Sequence, residues 1–153
     1  MTTDPADEPL GILFSDVARL FWRRLESAWS AAGFDVGSAE VRVLMTIVEQ
    51  PGLRQAQLAE SLHIEPMTLV GHLDRLVRRG LAERRPDPGD RRAKLVHPSE
   101  RAAGVLEELR AASAGVRTAQ TAGFDEAEIA SLRGLLQRVR GNLAAAPRGE
   151  ARA

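Results

Sequence analysis

Eight basic side chains, Arg75, Arg78, Arg79, Arg84, Arg85, Arg91, Arg92 and Lys94, fall within residues 68–94. Only Asp74, Glu83, Asp87 and Asp90 oppose them there, so the segment carries a surplus of four positive charges. The whole chain has 21 basic and 21 acidic residues, so its flanks are acidic and its charge is polarised. Twenty of the 21 basic residues are Arg, and coding bias alone could supply many of them; the pattern around them has to decide. Permanently charged, planar guanidinium groups in a cluster suit the recognition of phosphates and base edges. Other chemistries find less support. There is no cysteine, which excludes a disulfide framework, a thiolate metal site and a cysteine nucleophile. His63, His72 and His97 lack carboxylates at the spacing of a metal site and are expected in solvated or nucleic-acid-facing positions. Asp87 and Asp90 do not follow a calcium-loop pattern, and Arg91-Arg92 would repel a cation. No Ser, His and acid grouping, glycine-rich phosphate loop or paired carboxylate motif is visible, so an enzyme is not expected.

The elements that position these arginines follow from periodicity. From Leu10 to Ala32, apolar residues at Leu10, Leu13, Phe14, Val17, Phe21, Leu25, Ala28 and Trp29 mark one face of a long helix ended by Gly33. Ser38 is read as the cap of a second helix through Val41, Leu44 and Val48, stopped by Pro51-Gly52. A short third helix spans Gln55 to Leu62. Pro66 opens a fourth whose stripe is Leu69, Leu73, Leu76 and Val77, closed at Gly80. Two extended segments, 81–85 and 93–97, flank the turn-rich Pro86-Asp87-Pro88-Gly89-Asp90 and predict a β-hairpin with a basic tip. A helix resumes at Ser99 and runs past Val116, and a last one starts at Asp125, where Asp125 and Glu128 form a capping box. The fold class is mainly α: a winged helix-turn-helix lobe at 36–98 with a small β-hairpin wing, flanked by N- and C-terminal dimerisation helices at 10–33 and 99–145. Residues 1–9 and 146–153 are expected to be disordered.

The longest stretch without an ionisable side chain, Ser27 to Phe34, is eight residues, too short to cross a membrane. Met1 to Pro9 carries three acids and no base, unlike a signal peptide, so a cytoplasmic location is expected.

Two short helices followed by a basic hairpin is the order of a winged helix-turn-helix, whose second helix fits the major groove. The residues Gln55-Ala56-Gln57-Leu58-Ala59-Glu60, Leu73-Asp74-Arg75-Leu76, Arg79-Gly80-Leu81 and above all Asp87-Pro88-Gly89-Asp90-Arg91-Arg92-Ala93-Lys94 resemble the MarR family of transcriptional regulators. The similarity in element order covers residues 10 to about 145, with the wing motif its specific part. The resemblance implies a homodimer on a pseudo-palindromic operator, most often as a repressor, and often a small aromatic effector.

Carried over by position, it implies that Gln55 and Pro66, Met67, Thr68, Gly71 and His72 lie at the DNA, and that Arg75 reaches a phosphate. In the wing, Arg91, Arg92 and Lys94 are implied: one arginine enters the minor groove, and the other pairs with a carboxylate such as Asp90. Gly71 departs from the family's usual arginine, Arg54 from its usual Thr or Ser cap, His63 from a frequent Gly, and Pro98 from a usual leucine. Phe14, Phe21, Trp22 and Trp29 are read as dimer core, while Phe21, Trp22 and Met45 are the candidates for an effector pocket. No cofactor and no metal are expected. The alternative from another class is a winged-helix module whose arginines bind an acidic protein partner.

Overall fold

The computed structural model describes residues 8–145, with Arg91 described by its backbone alone. The elements are α1 (Leu10–Ala31), α2 (Ser38–Glu49), β1 (Leu53–Arg54), α3 (Gln55–Leu62), α4 (Pro66–Arg78), β2 (Ala82–Asp87), β3 (Asp90–Pro98), α5 (Ala102–Ala112), α6 (Ala114–Ala119) and α7 (Glu126–Ala145). Of the two ends expected to be disordered, residues 1–7 and 146–153 lie outside the described residues. The chain divides between Val116 and Arg117 into two compact units.

In the first unit the core is built on α4. Leu69, Leu73 and Leu76, spaced four and three apart, are almost completely buried, together with Val43, Leu44 and Ile47 of α2 and Leu58 and Ala59 of α3. Val96 of β3 and Ala102 of α5 close this cluster. A second cluster joins Leu25 and Trp29 of α1 to Val41 of α2 and Leu109 of α5, with Phe21, Trp22, Phe34 and Val36 against it. Trp29 is therefore part of this chain's own core rather than an outer dimer surface, 3% exposed and with its indole nitrogen bonded to Ser113 Oγ at 2.7 Å.

Helix ends show why the turns fall where they do. At the end of α4, Gly80 (φ +66°) turns the chain while its N–H donates to Val77 O and the Leu81 N–H donates to Leu76 O. This pair of bonds satisfies carbonyls that the helix leaves orphaned, and the left-handed turn between them favours glycine. The end of α3 has the same pair, His63 N–H to Glu60 O and Ile64 N–H to Ala59 O, but with His63 at φ +55° in the glycine seat. Its ring Nδ1 donates to Glu60 O at 2.6 Å, a bond that glycine could not make.

Three features differ from the sequence expectation, and Pro98 leaves the wing intact. The wing has a third strand: β1 pairs with β3 through Leu53↔Val96 and Arg54↔Leu95, giving the order β1-β3-β2. Two residues are too few for an alternation to show in sequence. Pro98 still pairs with Ala82 at the end of β3, and the next residue, Ser99, donates its N–H to Leu81 O. The helix expected past Val116 breaks at Ser113, whose hydroxyl donates back to Leu109 O at 2.6 Å; such back-bonding competes with the helical ladder. Ser38 is the first residue of α2 and not its cap: Gly37 holds that position, and Glu26 Oε1 of α1 accepts the Ser38 N–H at 2.7 Å.

The second unit contains α7, whose start carries the expected reciprocal cap: Asp125 N–H donates to Glu128 Oε2 and Glu128 N–H to Asp125 Oδ1. α7 has no buried residue, and Leu132, Leu135, Leu136 and Leu143 are exposed along it.

Candidate nucleic-acid interface

Burial of Leu69, Leu73 and Leu76 fixes which face of α4 turns outward. Pro66 occupies the first helical position after extended Glu65, so no backbone donor is lost there. Met67 (81% exposed) and Thr68 project from this first turn, and Gly71 and His72 follow, half-buried. A Cβ at Gly71 would meet nothing nearer than Arg75 Nη1 at 3.8 Å, so the helix has room for a side chain there.

Arg75, its side chain still 40% exposed, is fastened to the lobe by side-chain bonds. Its Nε pairs with Glu40 of α2, and its Nη2 donates to His72 Nδ1 at 2.7 Å. Arg79 takes the other Glu40 oxygen and reaches Asp35 at 3.2 Å. Glu40 is 6% exposed, and both of its oxygens are used. A buried carboxylate needs such paired donors to offset its lost hydration. Sequence reading missed Glu40, although it left a signal: Glu40 precedes Val43, Leu44 and Ile47 by three, four and seven residues and so lies on the apolar face.

The wing is tied to the helices by two further arginines. Arg84 of β2 donates to Gln55 Oε1 at 3.1 Å and to Asp74 Oδ1 at 2.7 Å, joining the wing to α3 and α4. Gln55 is thereby an internal brace. Arg54 pairs with Asp87 at 2.6 Å, and its own N–H is accepted by Gln57 Oε1, the half of a capping box that the N3 side chain supplies. The N–H of Gly89 and the Arg54 guanidinium hold the Asp87 carboxyl below the usual carboxylate range. The Ser38 hydroxyl and N–H do the same to Glu26, where the hydroxyl acts most.

At the wing tip Asp90 Oδ1 accepts the Arg92 backbone N–H at 3.0 Å, so the contact to Asp90 is made by main chain rather than by the Arg92 guanidinium. Arg92 and Lys94 are exposed, and their side chains have no partner among the described residues. The structure thus presents the first turn of α4 with Arg92 and Lys94 of β3 for contact, while Gln55 and Arg75, both partly exposed, also make bonds within the lobe.

The candidate effector residues lie near the junction of the first two helices. Phe21 and Trp22 pack edge to face with centroids 5.6 Å apart, and Met45 is 44% exposed. An open cleft of 540 Å³ lies among Phe34, Asp35, Val36, Arg79, Leu81, Arg101 and Val105. Among the described residues no group of three or more His, Asp or Glu could hold a metal ion, and no helix is long and apolar enough to cross a membrane.

A three-helix core with a recognition helix, a three-stranded wing and outward cations defines a winged helix-turn-helix protein. The sequence model of the MarR family matches residues 37–94, the stretch from α2 to Lys94 of the wing. The chain is 28% identical over 109 residues to the uncharacterized HTH-type transcriptional regulator YybA of Bacillus subtilis (strain 168), covering 71% of this chain and 73% of that protein. Among solved structures it is similar to a mutant of MarR from E. coli complexed with operator DNA, with TM-score 0.76 and 29% identity over 90% of this chain and 99% of that one. A MarR-family transcriptional regulator from Rhodococcus sp. RHA1 gives TM-score 0.76 and 25% identity, covering 90% and 96%. Residues 37–94 carry the sequence pattern of the MarR family, and the chain resembles transcriptional regulators of that family in sequence and fold.

Proposed function

We propose that the protein acts as a cytoplasmic homodimer that represses transcription by binding a pseudo-palindromic operator, and that it is a regulator rather than an enzyme. The observation that carries this reading is the pairing of an exposed α4 first turn, Met67 and Thr68, with Arg92 and Lys94 on the wing, exposed and without side-chain partners among the described residues. Its support outside the chain is the fold shared with an operator-bound MarR. In this reading Pro66, Met67, Thr68, Gly71 and His72 lie in the major groove, and the wing cations, Arg91 among them, follow the adjacent backbone or minor groove. Gln55 and Arg75 support the readers from behind.

Dimerisation is supported by apolar side chains left uncovered on α1 (Leu10, Ile12, Leu13, Val17) and, separately, on α7 (Leu135, Leu143), helix faces of the kind that are buried against a partner. A small aromatic effector, held near Phe21, Trp22 and Met45, would release the operator by preferring the lobe spacing that DNA does not accept. Footprinting on a duplex selected from a random pool tests the reading. Two protected half-sites with centres about 34 Å apart are expected; protection of a single half-site, or of none, contradicts it.

A further inference from the structure

His72 has a defined tautomer. Its Nδ1 lies 2.7 Å from Arg75 Nη2, and a guanidinium nitrogen can only donate, so Nδ1 is the acceptor. The neutral ring then carries its proton on Nε2, at its far edge, where no partner exists among the described residues. Arg75 is in turn oriented by Glu40, which lies 6% exposed on another helix and also grips Arg79. The buried carboxylate thus fixes the guanidinium, and the guanidinium fixes the ring.

Resting on the reading of α4 as the base-contacting helix, we propose that His72 is a specificity-determining residue that acts only as a hydrogen-bond donor, and that Glu40 is its positioning residue. A lone Nε2–H in the major groove meets acceptors on guanine (O6 and N7), on adenine (N7, beside an opposing amino group) and on thymine (O4). Cytosine offers an amino donor instead, which leaves two donors facing each other. The order of preference at the position read by His72 is therefore guanine first and cytosine last. Because Glu40 is buried, it sets this preference without touching DNA. Gly71 beside it carries no side chain that could contribute a competing contact.

The experiment uses the full chain and a duplex selected from a random pool, with every position replaced in turn by each of the four base pairs. Wild type is expected to lose affinity about tenfold when guanine is replaced by cytosine at one position per half-site. His72→Ala should flatten that position alone. His72→Asn, which both donates and accepts, should move the preference toward adenine. Glu40→Gln should flatten the same position while binding to non-specific duplex stays within about twofold. Long-range ¹⁵N–¹H spectra of the histidine rings supply a readout independent of DNA: the His72 pattern should be that of an Nε2–H imidazole in wild type and a mixture of tautomers in Glu40→Gln. If Glu40→Gln does not fold, the wild-type spectrum and the two His72 variants decide. An Nδ1–H pattern in wild type, or a base profile that His72→Ala leaves unchanged, overturns the proposal. Absence of binding to any duplex would instead overturn the function on which it rests.

Discussion

Replacing Trp29 with Phe tests how α1 is fastened to α5. The indole is 3% exposed, and its Nε1–H donates to Ser113 Oγ at 2.7 Å and to Leu109 O at 3.2 Å. Phe sets its ring where the five-membered ring of the indole joins Cβ, removes the N–H and vacates the far edge of the benzo ring, leaving a void of about 35–40 Å³, which at ~24 cal/mol per Å³ costs about 1 kcal/mol. The transfer free energy of the removed atoms adds about 1 kcal/mol. The lost donor adds little more than about 0.5–1 kcal/mol, because Leu109 O keeps the Ser113 hydroxyl and N–H as donors. The expected total is therefore about 2–3 kcal/mol. Ser113→Ala should cost about 1 kcal/mol, since the indole retains Leu109 O. The double variant should be less destabilised than the sum of the two by about 1 kcal/mol, as for residues that share one network. Urea unfolding followed by far-UV circular dichroism, at one fixed protein concentration, measures all four proteins. A Trp29→Phe variant within 0.5 kcal/mol of wild type, or strictly additive variants, would refute this account of the junction.

Three further outcomes follow from local geometry. His63 occupies a left-handed position that costs a non-glycine residue about 1 kcal/mol, so His63→Gly should leave the urea midpoint nearly unchanged, relief of strain offsetting the lost ring bond. His63→Val, β-branched and without that bond, should lower it clearly; equal midpoints for Val and His would contradict the assignment. Arg92→Ala should leave thermal stability unchanged and lower the slope of log affinity against log salt by about 0.9 per protomer, as measured by fluorescence anisotropy; an unchanged slope would remove Arg92 from the interface. Glu26 is held below its ordinary value of 4.5 in the folded chain, so its stabilisation is present above that value and fades as pH falls through the lowered one. The stability gap between wild type and Glu26→Gln should accordingly be open at neutral pH and close in acid; a constant gap would contradict the role of the Ser38 bonds.

What the sequence made legible was local. The Leu69, Leu73 and Leu76 stripe and the Asp125 and Glu128 cap each depend on neighbours within a few residues and stand where the sequence put them, and the hairpin turns at the expected tip although its strands run on through Asp87 and from Asp90. What stayed hidden depends on partners far along the chain. β1 exists only because Val96 lies across from Leu53. The break at Ser113 reflects a hydroxyl that also receives an indole 84 residues away. The bonds of Arg84 to Gln55 and of Arg75 to Glu40 join residues 29 and 35 positions apart, beyond the reach of any local pattern. A charged residue on an apolar helix face, as Glu40 is, was the one sign in the sequence that such internal pairing existed.

The central claim is that α4 and the wing form a DNA-binding surface on a chain of zero net charge. The most direct measurement is the anisotropy of a labelled duplex of about 30 base pairs, long enough for two half-sites one turn apart, titrated with the full chain at several salt concentrations. Saturable binding is predicted, with log affinity falling linearly against log salt and a slope of roughly −5 or steeper, as expected when about six or more phosphates are neutralised by two lobes. No binding at about 50 mM salt, where the electrostatic term is strongest, or binding with no dependence on salt, would contradict the account.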